Sequence, residues 1–159
     1  MPTPKELIEL NRGSSEVHTD PEVCKQKTLE LLREINMPSG LLPLEDIVEV
    51  GRNRENGFVW LQQKTKTYHE FKKIGKKVCY DSVVTATVED RRMKDVSGVK
   101  SKEFLLWVAL SLITVSKKDA EKIVFATPAG LAKSYAVSAF EGEEEEKKEE
   151  EEEEEEIKN

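Results

Sequence analysis

Residues 101–118 read SKEFLLWVALSLITVSKK, and within them Phe104 to Val115 run twelve residues without a charge. Charged side chains make up 36% of the chain, so a bare stretch of this length marks a segment suited to an apolar environment. A membrane-crossing helix needs roughly 20 apolar residues. Twelve fall short, and Glu103 and Lys117 close the run on both sides, so an integral membrane protein is not expected. Alternation by two places Leu105, Trp107, Ala109, Ser111 and Ile113 on one face. Phe104, Leu106, Val108, Leu110, Leu112 and Val115 fall close to the other. A strand apolar on both faces is a central strand covered on both sides, and that is the expectation here. A strand that bends at Ala109 or Ser111, or a helix over the same twelve residues, are the alternatives.

On either side of this run the chain alternates in short pieces. Ile47–Val50, Phe58–Gln62, Tyr68–Phe71, Lys77–Tyr80, Val83–Val88, Ile123–Ala126 and Lys133–Phe140 read as strands, separated by turn residues such as Gly51 to Gly57 and Pro128-Ala129-Gly130. Residues 91–98 read as a short strand or turn. Seven or eight short strands at this spacing predict a mainly β chain, an antiparallel β-sandwich or barrel-like body. Residues 19–36 predict the one clear helix. Asp20 before Pro21 is an N-cap with proline at the first helical position, and Thr19 with Glu22 is an alternative capping box. Cys24, Thr28, Leu31, Leu32 and Ile35 then share a face. The organisation expected is a flexible segment over 1–18, a single helix-plus-β domain over 19–140 and a disordered Glu-rich tail over 141–159.

That tail holds thirteen Glu against three Lys, so the net charge of −7 belongs to it and the body before it is mildly basic. Such a sequence resists folding, since it repels itself and has nothing to bury. It suits a basic protein partner, or the chain's own basic face under a salt-dependent attraction. The body's positive balance is too weak for a nucleic-acid footprint. Cys24 and Cys79 stand far apart and outside any CxxC, which with the charged N-terminus predicts reduced thiols and a cytoplasmic protein.

Chemistry-bearing patterns are sparse. His18 and His69 are the two histidines, and no GxSxG elbow accompanies them; Ser82, Ser97 and Ser138 are serines without a paired base. Two Cys and two His lack the paired spacing of a zinc site, and no cofactor is expected. The GRNRENG loop over 51–57 lies between strands and reads as a hairpin connection rather than a phosphate cradle. Trp60, Tyr68 and Phe71 interleave with Arg52, Arg54, Lys64, Lys66, Lys72, Lys73, Lys76 and Lys77. Together with Trp107 these three aromatics are the candidate ligand-binding residues.

Several elements in order resemble a known family. Gly40-Leu41-Leu42-Pro43 follows the helix, then Gly57-Phe58-Val59-Trp60-Leu61 and Val78-Cys79-Tyr80. Val96-Ser97-Gly98-Val99-Lys100 and Lys102-Glu103-Phe104-Leu105-Leu106-Trp107 come next, and Ser138-Ala139-Phe140 closes the series. Over about residues 20–141 this is similar to the plant family called domain of unknown function 538. The resemblance implies an all-β body with an N-terminal helix and no established activity. It suggests either lipid binding like that of bactericidal permeability-increasing proteins or an esterase-like or pigment-related role, and supplies no motif residues for either. The function expected is a non-enzymatic binding module for an apolar or amphipathic small molecule or lipid. An interaction domain acting through the acidic tail is the alternative, and an esterase a distant third.

Overall fold

The computed structural model describes residues 1–142. Among them the chain forms helices α1 (Pro4–Arg12) and α2 (Pro21–Glu34). The strands are β1 (Glu16–His18), β2 (Ile47–Arg52), β3 (Phe58–Gln63), β4 (Thr67–Phe71), β5 (Lys76–Glu89), β6 (Arg92–Glu103), β7 (Leu106–Ala109), β8 (Leu112–Val115), β9 (Lys122–Ala126) and β10 (Ala132–Ala136). A 3₁₀ turn, Val137–Phe140, ends the body. The strands make one antiparallel sheet in the order β1-β2-β3-β5-β6-β8-β9-β10, with β4 on β5 and β7 on β6. The mainly β class is what the short period-two runs predict, and α2 is the amphipathic helix predicted over 19–36. Of the Glu-rich tail expected over 141–159, residues 143–159 lie outside the described residues.

Helix α2 starts as its sequence directs. The Asp20 carboxylate accepts from the Val23 N–H and Pro21 occupies the first turn. Cys24, Thr28, Leu31 and Leu32 are buried, and Ile35 just beyond joins them in a core with Ile47, Val50, Val59 and Leu61. Strand β3 is covered on both faces. Val59 and Leu61 meet that core, while Phe58 and Trp60 point the other way and are covered by Ile8 of α1. Residues 1–18, expected as a flexible segment, thus hold a helix and an edge strand. Trp60 lies flat against Gly51, where an added Cβ would fall 2.1 Å from the indole. Its Nε1 donates to Glu49 at 2.9 Å, and the same carboxylate accepts from Arg12 at 2.7 Å.

The 104–115 run is not the central strand expected from its alternation. Residues Phe104 and Leu105 form the two-residue turn of a β6–β7 hairpin, with Glu103 opposite Leu106 and Lys102 opposite Trp107. The run then breaks at Leu110-Ser111, beside the bend that alternation allowed, and resumes as β8. Phe104, Leu105 and Leu106 are exposed. The central strands are β5 and β6 instead. In β6, Met93, Val96, Val99 and Ser101 face inward while Lys94, Lys100 and Lys102 are only partly covered, so its charges disguise its position. A bulge lies between Tyr80 and Thr85 of β5, and there Gly98 takes φ +87 with its α-carbon so close to Val83 that a Cβ would sit 2.3 Å from the carbonyl oxygen.

Strand β4 meets β9, β10 and the 3₁₀ turn in an aromatic cluster. Phe140 lies 4.6 Å from Phe71 of β4 and 5.1 Å from Phe125 of β9, and Tyr135 of β10 lies 5.4 Å from Phe125. Gly40 N–H donates to the Phe140 carbonyl at 2.9 Å, and the buried Tyr80 hydroxyl donates to the Leu41 carbonyl at 2.7 Å. The GLLP and closing S-x-F elements, a hundred positions apart in the chain, are therefore in contact.

Candidate functional site

Strands β4, β5, β6 and β7 lie side by side, and their registers decide which side chains share a surface. Tyr68 is opposite Cys79, Cys79 opposite Lys100, and Lys100 opposite Ala109. Paired residues in antiparallel strands project to the same side, and residues two apart follow them. Tyr68, Glu70, Lys77, Lys100, Lys102 and Trp107 consequently share the outer face. The Tyr68 and Trp107 rings are 5.5 Å apart at 51°. Lys102 Nζ lies 5.8 Å from the centre of the Trp107 ring, within cation–π range. Between them runs an open groove of about 300 Å³, lined by Tyr68, His69, Glu70, Lys77, Lys102 and Trp107. Cys79 is buried beneath, where loss of solvent, helped by Asp81, raises its thiol above the ordinary value.

At one end of this face the β6–β7 hairpin projects. Its base is pinned by Glu103, which accepts from Lys76 at 2.7 Å and from Lys133 of β10. Burial works against the charged carboxyl, but hydrogen bonds from Lys133 and Lys76 outweigh it and hold Glu103 below the ordinary glutamate value. Burial likewise opposes the Lys76 charge, and the bond to Glu103 together with Tyr135 overcomes it, leaving the ammonium raised. At the other side Gly142, the last described residue, lines a second groove with Gly40, His69, Phe71, Lys72 and Lys73.

The structure brings two of the four candidate aromatics together. Tyr68 and Trp107 form the exposed pair. Trp60 is fully buried beneath α1, and Phe71 is buried against Phe140 and the edge of His69. Alternation along single strands does not reveal this, because it does not say which face receives a helix. Phe104, Leu105 and Leu106 escape sequence reasoning because they belong to an apolar run that reads as core. The signal that finds them is the polar alternation of 92–103: once that is a strand, the shortest way back is a hairpin at 104–105.

Ser82 and Ser97 line a different surface, together with Lys66 and Asp81. Among the described residues no group of three His, Cys, Asp or Glu is placed to hold a metal ion. Cys24 and Cys79 are free and buried. No helix among the described residues is long and apolar enough to cross a membrane. No curated protein and no solved structure matches the chain. A family model described as a protein of unknown function, DUF538, matches residues 28–141.

Proposed function

This chain belongs to the DUF538 family of proteins of unknown function, and we propose that it is a non-enzymatic binding module for an amphipathic small molecule with an anionic head. The observation that supports this reading is the exposed Tyr68–Trp107 pair with Lys102 over the indole and Lys77 lining the same groove. Aromatic rings next to an apolar rim take an acyl chain, while the ammonium groups take its charged end. Glu70 is the acid on that groove, and Lys77 is its cross-strand partner. The binding surface is an open face; the two-sided covering of β3 and the aromatic cluster fill the interior with side chains. Free thiols at Cys24 and Cys79 fit a reducing, cytoplasmic setting.

The test uses dodecyl phosphate below its micelle concentration and the intrinsic tryptophan emission of the full chain. Binding shifts the emission, and the shift disappears in Trp107→Ala, where the buried Trp60 still reports the folded body. An undiminished titration in Trp107→Ala, read by calorimetry, sinks this site.

A further inference from the structure

The turn of the β6–β7 hairpin is built against the preferences of its own backbone. Two-residue hairpin turns place Gly, Asn or Asp where φ is positive. Here that position is Phe104, at φ 56. A bulky side chain in the left-handed region is an outlier that folding alone does not favour. Nor does packing account for it. Phe104 is 97% exposed, Leu105 88% and Leu106 71%. Three consecutive large apolar residues thus stand at the far end of a projecting loop, where they add nothing to the core. Leu131, in the β9–β10 turn, is also exposed, and Lys133 two residues later is tied to Glu103 at the hairpin base.

The charges around the tip select its occupant. Glu103 is the acid at the base, and Lys76 and Lys133 both bind it, so the base of the hairpin is left cationic. Lys102 stands beside it over Trp107, and Lys100 and Lys77 follow on the same outer face, with Glu70 the acid there. An apolar tip backed by a cationic collar and an indole at the boundary matches a bilayer interface. Acyl chains receive the tip, the headgroup region receives the indole, and anionic headgroups meet the lysines. Three inserted side chains anchor marginally by themselves, and the lysines supply the second signal that stable attachment needs.

We infer that the Phe104-Leu105-Leu106 tip inserts into the surface of an anionic phospholipid bilayer and docks the β4–β7 face on it. The inference rests on the preceding reading in using the same lysines and Trp107, but it names a membrane surface, and the two fail separately. The experiment is co-sedimentation of the full chain with phosphatidylcholine–phosphatidylglycerol vesicles and with phosphatidylcholine vesicles, at about 0.15 M salt, where charges more than roughly 8 Å apart are largely screened. The wild-type chain is expected on the anionic vesicles in excess of the neutral ones. The double variant Phe104→Gly, Leu105→Ser should partition more than about tenfold more weakly. Glycine suits the turn, so this variant is expected to melt no lower than the wild type. Equal partitioning of variant and wild type overturns the inference, as does a wild-type chain that ignores anionic vesicles. Loss of dodecyl phosphate binding with vesicle docking intact would overturn the groove and spare the tip; the reverse pattern would overturn the tip and spare the groove. Self-association removed by the same variant, without vesicle binding, would assign the tip to a second copy of this chain and overturn the membrane.

Discussion

Glu103 is the residue on which the hairpin turns, because it joins β5, β6 and β10 through Lys76 and Lys133. Its carboxyl is held below the ordinary value of 4.5 in the folded chain. Between the lowered value and 4.5 the unfolded chain binds more protons than the folded one, so stability rises with pH across that window. The contribution is complete above the unfolded value and is lost as pH falls through the folded one. Thermal melting followed from neutral pH down through that window should therefore show a decline that Glu103→Gln flattens, since the amide does not titrate. A decline of equal slope in Glu103→Gln would assign it to other carboxylates, of which Glu34, hydrogen-bonded by Arg52, is the nearest in kind.

At the scale of elements, α1 is the part that turns a candidate binding residue into core. Ile8 is 1% exposed and closes over Phe58 and Trp60. Removing its side chain leaves a cavity against the indole, and Ile8→Ala is expected to lower unfolding stability by about 2–5 kcal/mol. Urea unfolding followed by tryptophan emission measures it. A loss under about 0.5 kcal/mol would mean that α1 does not seal this face. The same comparison separates the two tryptophans. Trp60→Ala, in the closed cluster, should cost about 3–5 kcal/mol. Trp107→Ala, at the rim, should stay within the range of surface substitutions, about 0.5 kcal/mol. Helix α2 could be read from sequence almost residue by residue, because its cap and its face are local features. The β6–β7 hairpin could not. Phe104 stands where a turn residue is expected, so the local chemistry that normally announces a hairpin is missing.

Across the whole molecule the charge is divided, with a mildly basic body and a strongly acidic tail. The last described residue, Gly142, lines a groove with Lys72, Lys73 and residues of β4, the strand that carries Tyr68. Residues 143–159 follow it in the sequence with twelve Glu against three Lys, a charge opposite to that of the lysines on the outer face. Deleting them is expected to tighten dodecyl phosphate binding severalfold at low salt, with the difference vanishing as salt shortens the Debye length to about 3 Å near 1 M. Identical affinity with and without the tail at low salt would show that it does not compete for the face. What the sequence determined by itself is the mainly β class, the position and buried face of α2, and the division of charge. These depend on periodicity, capping and composition, which are properties of neighbouring residues. Tertiary structure alone decided that β5 and β6 are central, that 104–115 divides into a turn and two short strands, and that Tyr68 and Trp107 meet while Trp60 and Phe71 are buried. The physical reason is that alternation fixes which side chains share a face of a strand, whereas burial depends on what packs against that face. Here the covering pieces, α1 and the 3₁₀ turn ending at Phe140, come from the two ends of the body.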